Sequence, residues 1–261
     1  MAARKKVLVA MNTLTSINMG PYTDHARFYY RLGRDYLKFD FFQFFARRMS
    51  IDRFRNAAAK LCVDGKFDYL LFIDDDMFLP ADTFGKLYEA KLDICMAHVY
   101  IRGYPFEIMA FKDAPSDNPK HKRLINLTQE DIASDKVRKD GVIRCDAIGT
   151  AVSLINCKIF KKVPAPWFVT GPNNTEDIYF CMKSKDYIKN LTIGMHTKVI
   201  TGHQLDPEVI SVDTRDALRT YHQSYMSEEQ KLAEQENKSG DRGLAYVMEN
   251  IEPKEGEDAT N

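Results

Sequence analysis

The sequence predicts an α/β chain built on a mixed central sheet with helices on both faces. Three observations predict it. Short apolar runs, rich in β-branched or aromatic residues, alternate with helical patterns through the first half of the 261 residues. One such run, Tyr69-Leu-Leu-Phe-Ile73, is unbroken by any polar residue, which marks a strand buried on both sides. Several further strands cluster in the second half, so the sheet is expected to mix directions.

The elements follow in order. "KVLVAM" (Lys6 to Met11) reads as a buried strand, ended by the polar "NTLTSINMGP". A helix is expected around Asp24 to Leu37, and "KFDFFQFF" reads as an aromatic second strand. "SIDRFRNAAAKLCVDG" carries helix signals: Ser50 or Asp52 as cap, an alanine-rich interior, and Gly65 at the end. "FDYLLFID" is the third strand and "PADTFGKLYEA" a capped helix. "DICMAHVYI" and "FEIMAFK" read as two strands separated by "RGYP", whereas Asp113 to Asp140 is polar and charged and reads as a loop or lid. "AIGTAVSLINCKIFKKV" passes from a glycine turn through a strand to a short helix. "TEDIYFCMKSKDYI" is helical and "TIGMHTKVITGHQ" a late strand with a polar end. The expected division is a domain over 1–225 and, over 226–261, a loose helix followed by a disordered acidic tail.

Composition bounds the function. Lys plus Arg and Asp plus Glu both number 37, so no global charge draws the chain to nucleic acid or an anionic membrane. The five cysteines (62, 95, 145, 157 and 181) show no CxxC spacing and read as reduced thiols in a cytoplasmic setting. The apolar run at the N-terminus is too short for a signal peptide, and no segment is long enough to span a membrane.

The third strand runs directly into Asp74-Asp75-Asp76, and Met77-Phe78-Leu79 follows at once. A solvated acidic turn is the plain alternative. Yet the flanking apolar residues imply partial enclosure, and enclosed like charges need a counter-charge. A hard divalent cation with oxygen ligands, Mn²⁺ or Mg²⁺, fits best. Asp74 and Asp76 alternate to the same side, so both can converge on one ion or its ligand. A cation held by few carboxylates usually bridges to a phosphate-bearing substrate, which narrows the chemistry to phosphoryl, nucleotidyl or glycosyl transfer.

In that order and spacing, "KVLVAMNT", "DRFRNAAAK", "FDYLLFIDDDM", "DAIGTAVSLINCKIFKKVPAPWF", "NTEDIYFCMKSKD" and "ITGHQ" together resemble the GT-A class of nucleotide-sugar glycosyltransferases, especially the family 2-like members of bacteria and viruses. The resemblance covers about Lys6 to Gln204. It implies a metal held by Asp76, Asp74 and His203, with His196 as the fallback. It implies contacts to a UDP- or GDP-linked donor from Asn12, Thr13, Arg55, Asp74 and Asp75, with Asn12 and Thr13 near the uracil or guanine and Arg55 nearby. Tyr100 and Arg102 are candidates to line the donor pocket; a surface arginine is the commoner case for Arg102, and a surface position on its helix is the alternative for Arg55.

An inverting transfer needs one carboxylate to take the acceptor hydroxyl's proton. Asp177 is the choice, with Glu176 orienting acceptor or sugar, although acidic residues at a helix start are favoured by the dipole alone. Gly149 and Thr150 form a turn where an acceptor could pass. Trp167 and Phe168 read either as a sugar-stacking platform or as a core plug beneath that turn. The acceptor could be a glycan, a lipid, a protein or a modified nucleobase. Two rivals stand beside this reading: a haloacid dehalogenase-type phosphatase, whose nucleophilic Asp usually lies on the first strand, and a non-catalytic nucleotide-sugar or carbohydrate-binding protein.

Overall fold

The structure is a computed structural model. It describes residues 3–13, 16–115, 121–172, 174–205, 208–224 and 244–247. Strand β1 (Lys5–Thr13) buries Val7 to Met11 and lies parallel to both β2 (Phe39–Arg47) and β3 (Tyr69–Ile73). With β5 (Ile94–His98), β8 (Val142–Arg144), β10 (Val152–Asn156) and β11 (Ile193–Ile200) they make a seven-stranded sheet in the order β2-β1-β3-β10-β5-β11-β8. Strand β10 runs antiparallel to β3 and β5, and β11 parallel to β5, so the sheet is mixed. The carboxyl ends of β1, β2, β3, β5 and β11 therefore share one edge, where open α/β sheets bind ligands.

Period-two alternation distributes the helices over both faces. Helix α2 (Ile51–Asp64) packs on one face: Phe54 stacks on Phe44 and meets Phe72 edge-on. Phe168 and Phe180, the latter on α6 (Glu176–Tyr187), extend that layer, as does α5 (Lys158–Lys162) against α2. On the other face α1 (Met19–Asp35) sets Tyr29 against Phe45, and α3 (Thr83–Glu89) sets Phe84 against Phe39 and Phe41.

Four sequence expectations need correction. Helix α1 begins at Met19, not near Asp24, because Pro21 falls in the first turn, where its missing N–H costs nothing. The polar stretch 113–140 is not one loop. It holds β7 (His121–Asn126), paired with β6 (Ala110–Ala114), and α4 (Gln129–Ala133), which opens on a capping box between Thr128 and Asp131. The late strand is broken at Thr201: β12 (Gly202–Leu205) leaves the large sheet and pairs with β4 (Met77–Phe78) and β13 (Glu208–Ile210). Helix α7 (Arg215–Ser224) was not anticipated, and within the expected tail Leu244–Val247 pairs as β14 with β7. The rest of 226–261 lies outside the described residues. All five cysteines are free thiols, and no helix among the described residues is long and apolar enough to cross a membrane.

Candidate functional site at the carboxyl edge of β3

The aspartate turn is pinned from both sides. Asp74 N donates to Ala151 O at 2.7 Å, and Gln204 N donates to Asp76 O at 2.9 Å. The second bond follows from the pairing of β12 with β4, which sets His203 opposite Met77. Strand β12 thus delivers His203 to the turn.

His203 Nδ1 lies 2.8 Å from Tyr100 O, and its Nε2 lies 3.3 Å from Asp76 Oδ2. A carbonyl oxygen only accepts, so Nδ1 carries a proton. In a neutral ring Nε2 then turns a lone pair on a carboxylate, which is satisfied only by a proton or a cation between them. A metal-ligating histidine commonly donates from its far nitrogen to a backbone carbonyl, which fixes the ring. Arg102 Nη1 also reaches Asp76 Oδ2, at 3.0 Å, from an exposed loop. Burial raises the Asp76 carboxyl, but His203 and Arg102 outweigh it and hold the group below the usual carboxylate range. Asp75 lies above that range through burial, against the Thr13 hydroxyl beside it.

Asp74 is committed elsewhere. Arg55 Nη2 donates to its Oδ1 at 2.8 Å and its Oδ2 at 3.2 Å. Arg55 is only 2% exposed, with Cζ 4.4 Å from the Phe72 ring centre. Burial still raises Asp74 above the ordinary value, against the pull of Arg55. The three-ligand set Asp74, Asp76 and His203 is therefore not assembled: Asp76 and His203 meet, while Asp74 faces Arg55. Among the described residues no three His, Cys, Asp or Glu side chains form a ready metal cluster. His196 is buried on β11, its Nδ1 accepting from Lys198 N, and is not brought to the turn.

Arg55 continues to α6. Its Nε lies 3.8 Å from Glu176 Oε1, an ion pair without a hydrogen bond. Burial, then the neighbouring Asp177 charge, raises Glu176 to about 7, with Arg55 opposing. Asp177 Oδ1 accepts from the Thr175 hydroxyl and, at 2.8 Å, from Ile178 N, so this carboxylate also caps the helix. The next residue of α2, Asn56, accepts from Trp167 N and Phe168 N and donates to Phe168 O. Adjacent side chains of α2 thereby tie the aspartate turn, α6 and the 167–168 segment together.

Several expected contacts are not available to a ligand. Arg55 is sealed beneath Asp74 and cannot reach a base. Phe168 is buried in an aromatic stack and Trp167 Nε1 donates to Val163 O, so the pair is a core plug rather than a sugar platform. Tyr100 is buried; its hydroxyl accepts from Gln129 Nε2, and only its carbonyl serves the site. Thr150 is buried, and Gly149 is there because a Cβ would strike the Met109 side chain at 2.5 Å. Asn12 Nδ2 donates to Met49 O. The sequence reading missed His25 on α1, whose Nε2 lies 2.8 Å from Met77 O; a lone helical histidine far upstream of the aspartates gives no signal.

The arrangement defines a Rossmann-like α/β protein with an acidic turn at the carboxyl edge of a mixed sheet. No protein-family model matches the chain, and no curated protein matches it. Among solved structures it is similar to the crystal structure of A197 from STIV, at 15% identity and a TM-score of 0.50, over 80% of this chain and 91% of that one. At that identity the likeness bears on the fold alone.

Proposed function

We propose that the chain is a divalent-metal-dependent glycosyltransferase of GT-A type, moving a sugar from a UDP- or GDP-linked donor to an acceptor hydroxyl with inversion. The observation that carries the proposal is the His203–Asp76 pair. His203 Nε2 and an Asp76 carboxylate oxygen face each other at 3.3 Å, on a turn pinned to the edge of the sheet where ligands bind. Asp76 and His203 would hold Mn²⁺ or Mg²⁺, which would supply charge neutralisation for a diphosphate leaving group.

The chain's own residues do the rest. Arg102, 57% exposed, can turn from Asp76 to a phosphate oxygen. Asp177 takes the proton of the acceptor hydroxyl as its oxygen bonds to the anomeric carbon and the diphosphate departs. Glu176, protonated up to about pH 7, donates a hydrogen bond to acceptor or sugar. Asp74 is held in line by Arg55 as the fixed floor of the site.

The test is a titration of UDP and GDP with Mn²⁺ and with chelator, beside a screen of nucleotide-sugars for metal-dependent hydrolysis. Nucleotide is expected to bind only with the metal. Equal affinity in chelator would sink the metal role, and binding without any turnover would favour a non-catalytic binding protein.

A further inference from the structure

The buried cysteines are not equivalent. Cys95 Sγ donates to Met96 O at 3.9 Å and Cys181 Sγ to Ile148 O at 3.8 Å, so each of those thiols has a backbone partner. Cys62 has a sulfur partner instead: its thiol and that of Cys157 share a hydrogen bond. Cys62 is wholly buried and Cys157 is 1% exposed. Burial pushes the Cys62 thiol well above its ordinary range, so it rests protonated.

The backbone sets this meeting. At the end of α2, Phe67 N donates to Cys62 O at 2.9 Å, and the chain turns into β3. The antiparallel ladder of β3 and β10 places Asn156 opposite Tyr69. Cys157 follows Asn156, and its N donates to Asp68 O at 3.0 Å. The two cysteines are thus fastened to consecutive residues, Phe67 and Asp68, at the end of β3 away from the aspartate turn. Helix α5, which opens after Cys157, packs on α2. No local spacing in the sequence signals the pair, because only the β3–β10 ladder brings positions 62 and 157 together.

We infer that Cys62 and Cys157 are a redox-sensitive disulfide site, closing in an oxidising setting to clasp α2 to the junction of β10 and α5. The step is thiol–disulfide exchange with a low-molecular-weight disulfide such as glutathione disulfide. One cysteine, as thiolate, attacks a sulfur of the reagent, and the first glutathione leaves as a thiolate that takes up the proton. The second cysteine attacks the mixed disulfide and releases the second glutathione in the same way. Two protein S–H bonds and the reagent's S–S bond are lost; one protein S–S bond and two glutathione S–H bonds form. The protein is oxidised and the reagent reduced. Both sulfurs are sealed in the folded chain, so exchange takes place during folding or when α5 opens. Arg55 lies two turns before Cys62 on the same buried face of α2, so the clasp anchors the helix that holds Asp74.

The experiment unfolds the full chain in denaturant and refolds it into a buffer rich in glutathione disulfide, and in parallel into dithiothreitol. Free thiols are alkylated, and the chain is digested for peptide mapping by mass spectrometry. The oxidised chain is expected to yield one linked peptide pair, joined through Cys62 and Cys157, with the other three cysteines outside it. Its melting temperature is expected to exceed that of the reduced chain by about 5–10 °C, because the bond closes a long loop in the unfolded state. Added dithiothreitol should abolish the rise. Cys157→Ala should lack both the link and the rise, and Cys145→Ala should keep both. The parent chain's map decides, so a variant that fails to fold leaves the test intact. Should refolding fail, the same mapping on native chain held in the oxidising buffer gives the answer. Cys62 and Cys157 recovered unlinked overturn the assignment and reduce the contact to core packing. A link through another pair overturns it too, as does a Cys62–Cys157 link that leaves the melting temperature unchanged or lowers it.

Discussion

The two flanks of the aspartate turn are built on opposite principles. On the α2 flank the side chains are densely packed: Phe54, Phe72, Phe168 and Phe180 stack, Arg55 joins Asp74 to Glu176 although its Nε and Nη1 have no hydrogen-bond partner, and Asn56 fastens the 167–168 backbone. On the α1 flank a cavity remains and polar atoms stand unpartnered. A buried charge network fixes the positions of the side chains it joins. An underfilled cavity with unpaired polar atoms is a place where a ligand gains contacts. The chain thus places its buried charge network and its open cavity on opposite faces of one sheet.

The contrast breaks most readily at Arg55. Arg55→Met keeps the bulk over Phe72 but leaves Asp74 and Glu176 without their cation. Removing one member of a buried charge network costs about 3–5 kcal/mol. Chemical denaturation is expected to show a loss of that size, with part recovered in Arg55→Met/Asp74→Asn, where the stranded charge is gone. A stability change within the noise of exposed substitutions would mean that the α2 flank is not held electrostatically.

Asp177 tests whether that rigid flank does chemistry. Asp177→Asn retains the cap geometry and removes the base, so the transfer rate should fall by about 10²–10⁴. Donor affinity should be unchanged. Asp76→Asn should instead lose donor binding and rate together. Calorimetric affinity beside initial rates separates the two, and near-normal turnover of Asp177→Asn would reduce Asp177 to a helix cap.

Glu176 gives the same flank a pH signature. Its pKa rises from the ordinary 4.5 to about 7 on folding, chiefly through burial. The folded chain therefore binds more protons than the unfolded one between those values. The stability Glu176 contributes is fully present below about pH 4.5, is lost as pH rises to about 7, and changes little above that. Glu176→Gln removes that penalty, worth on the order of 2–3 kcal/mol at pH 8. The variant should gain stability over the parent at pH 8 and show no gain at pH 4. A gain equal at both pH values would place the Glu176 titration elsewhere.

The α2 flank was more legible in the sequence than the α1 flank, for physical reasons. Strong periodic signals wrote the strands and α2, and the apolar run ending in three aspartates located the turn. Nothing local could say that Arg55 would be buried: a helix arginine between Phe54 and Asn56 becomes a core cation only once β3 brings Asp74 over it. His203 was named through the resemblance, and its Tyr100 partner depends on two loops meeting. His25 and the α1 cavity were invisible, because a cavity is the absence of packing and has no sequence pattern. The capping box at Thr128–Asp131 was readable and would have divided the supposed loop.

The mildest test lies at the mouth between the flanks. Arg102 is more than half exposed and meets Asp76 directly at the surface, so the ion pair itself contributes little to stability. Arg102→Ala should leave the denaturation midpoint nearly unchanged, a shift within about 0.5 kcal/mol. If the guanidinium turns to the diphosphate on binding, the same variant loses one charge-assisted hydrogen bond to the donor. That corresponds to about a tenfold weaker nucleotide-diphosphate affinity in Mn²⁺. Arg102→Lys keeps the charge but loses the forked geometry, and should recover only part of that affinity. Raising the salt concentration should shrink the difference between parent and Arg102→Ala, because an exposed charge is screened. Unchanged affinity in Arg102→Ala would leave Arg102 as a surface partner of Asp76, and the diphosphate would then be held by Asp76 and His203 without it.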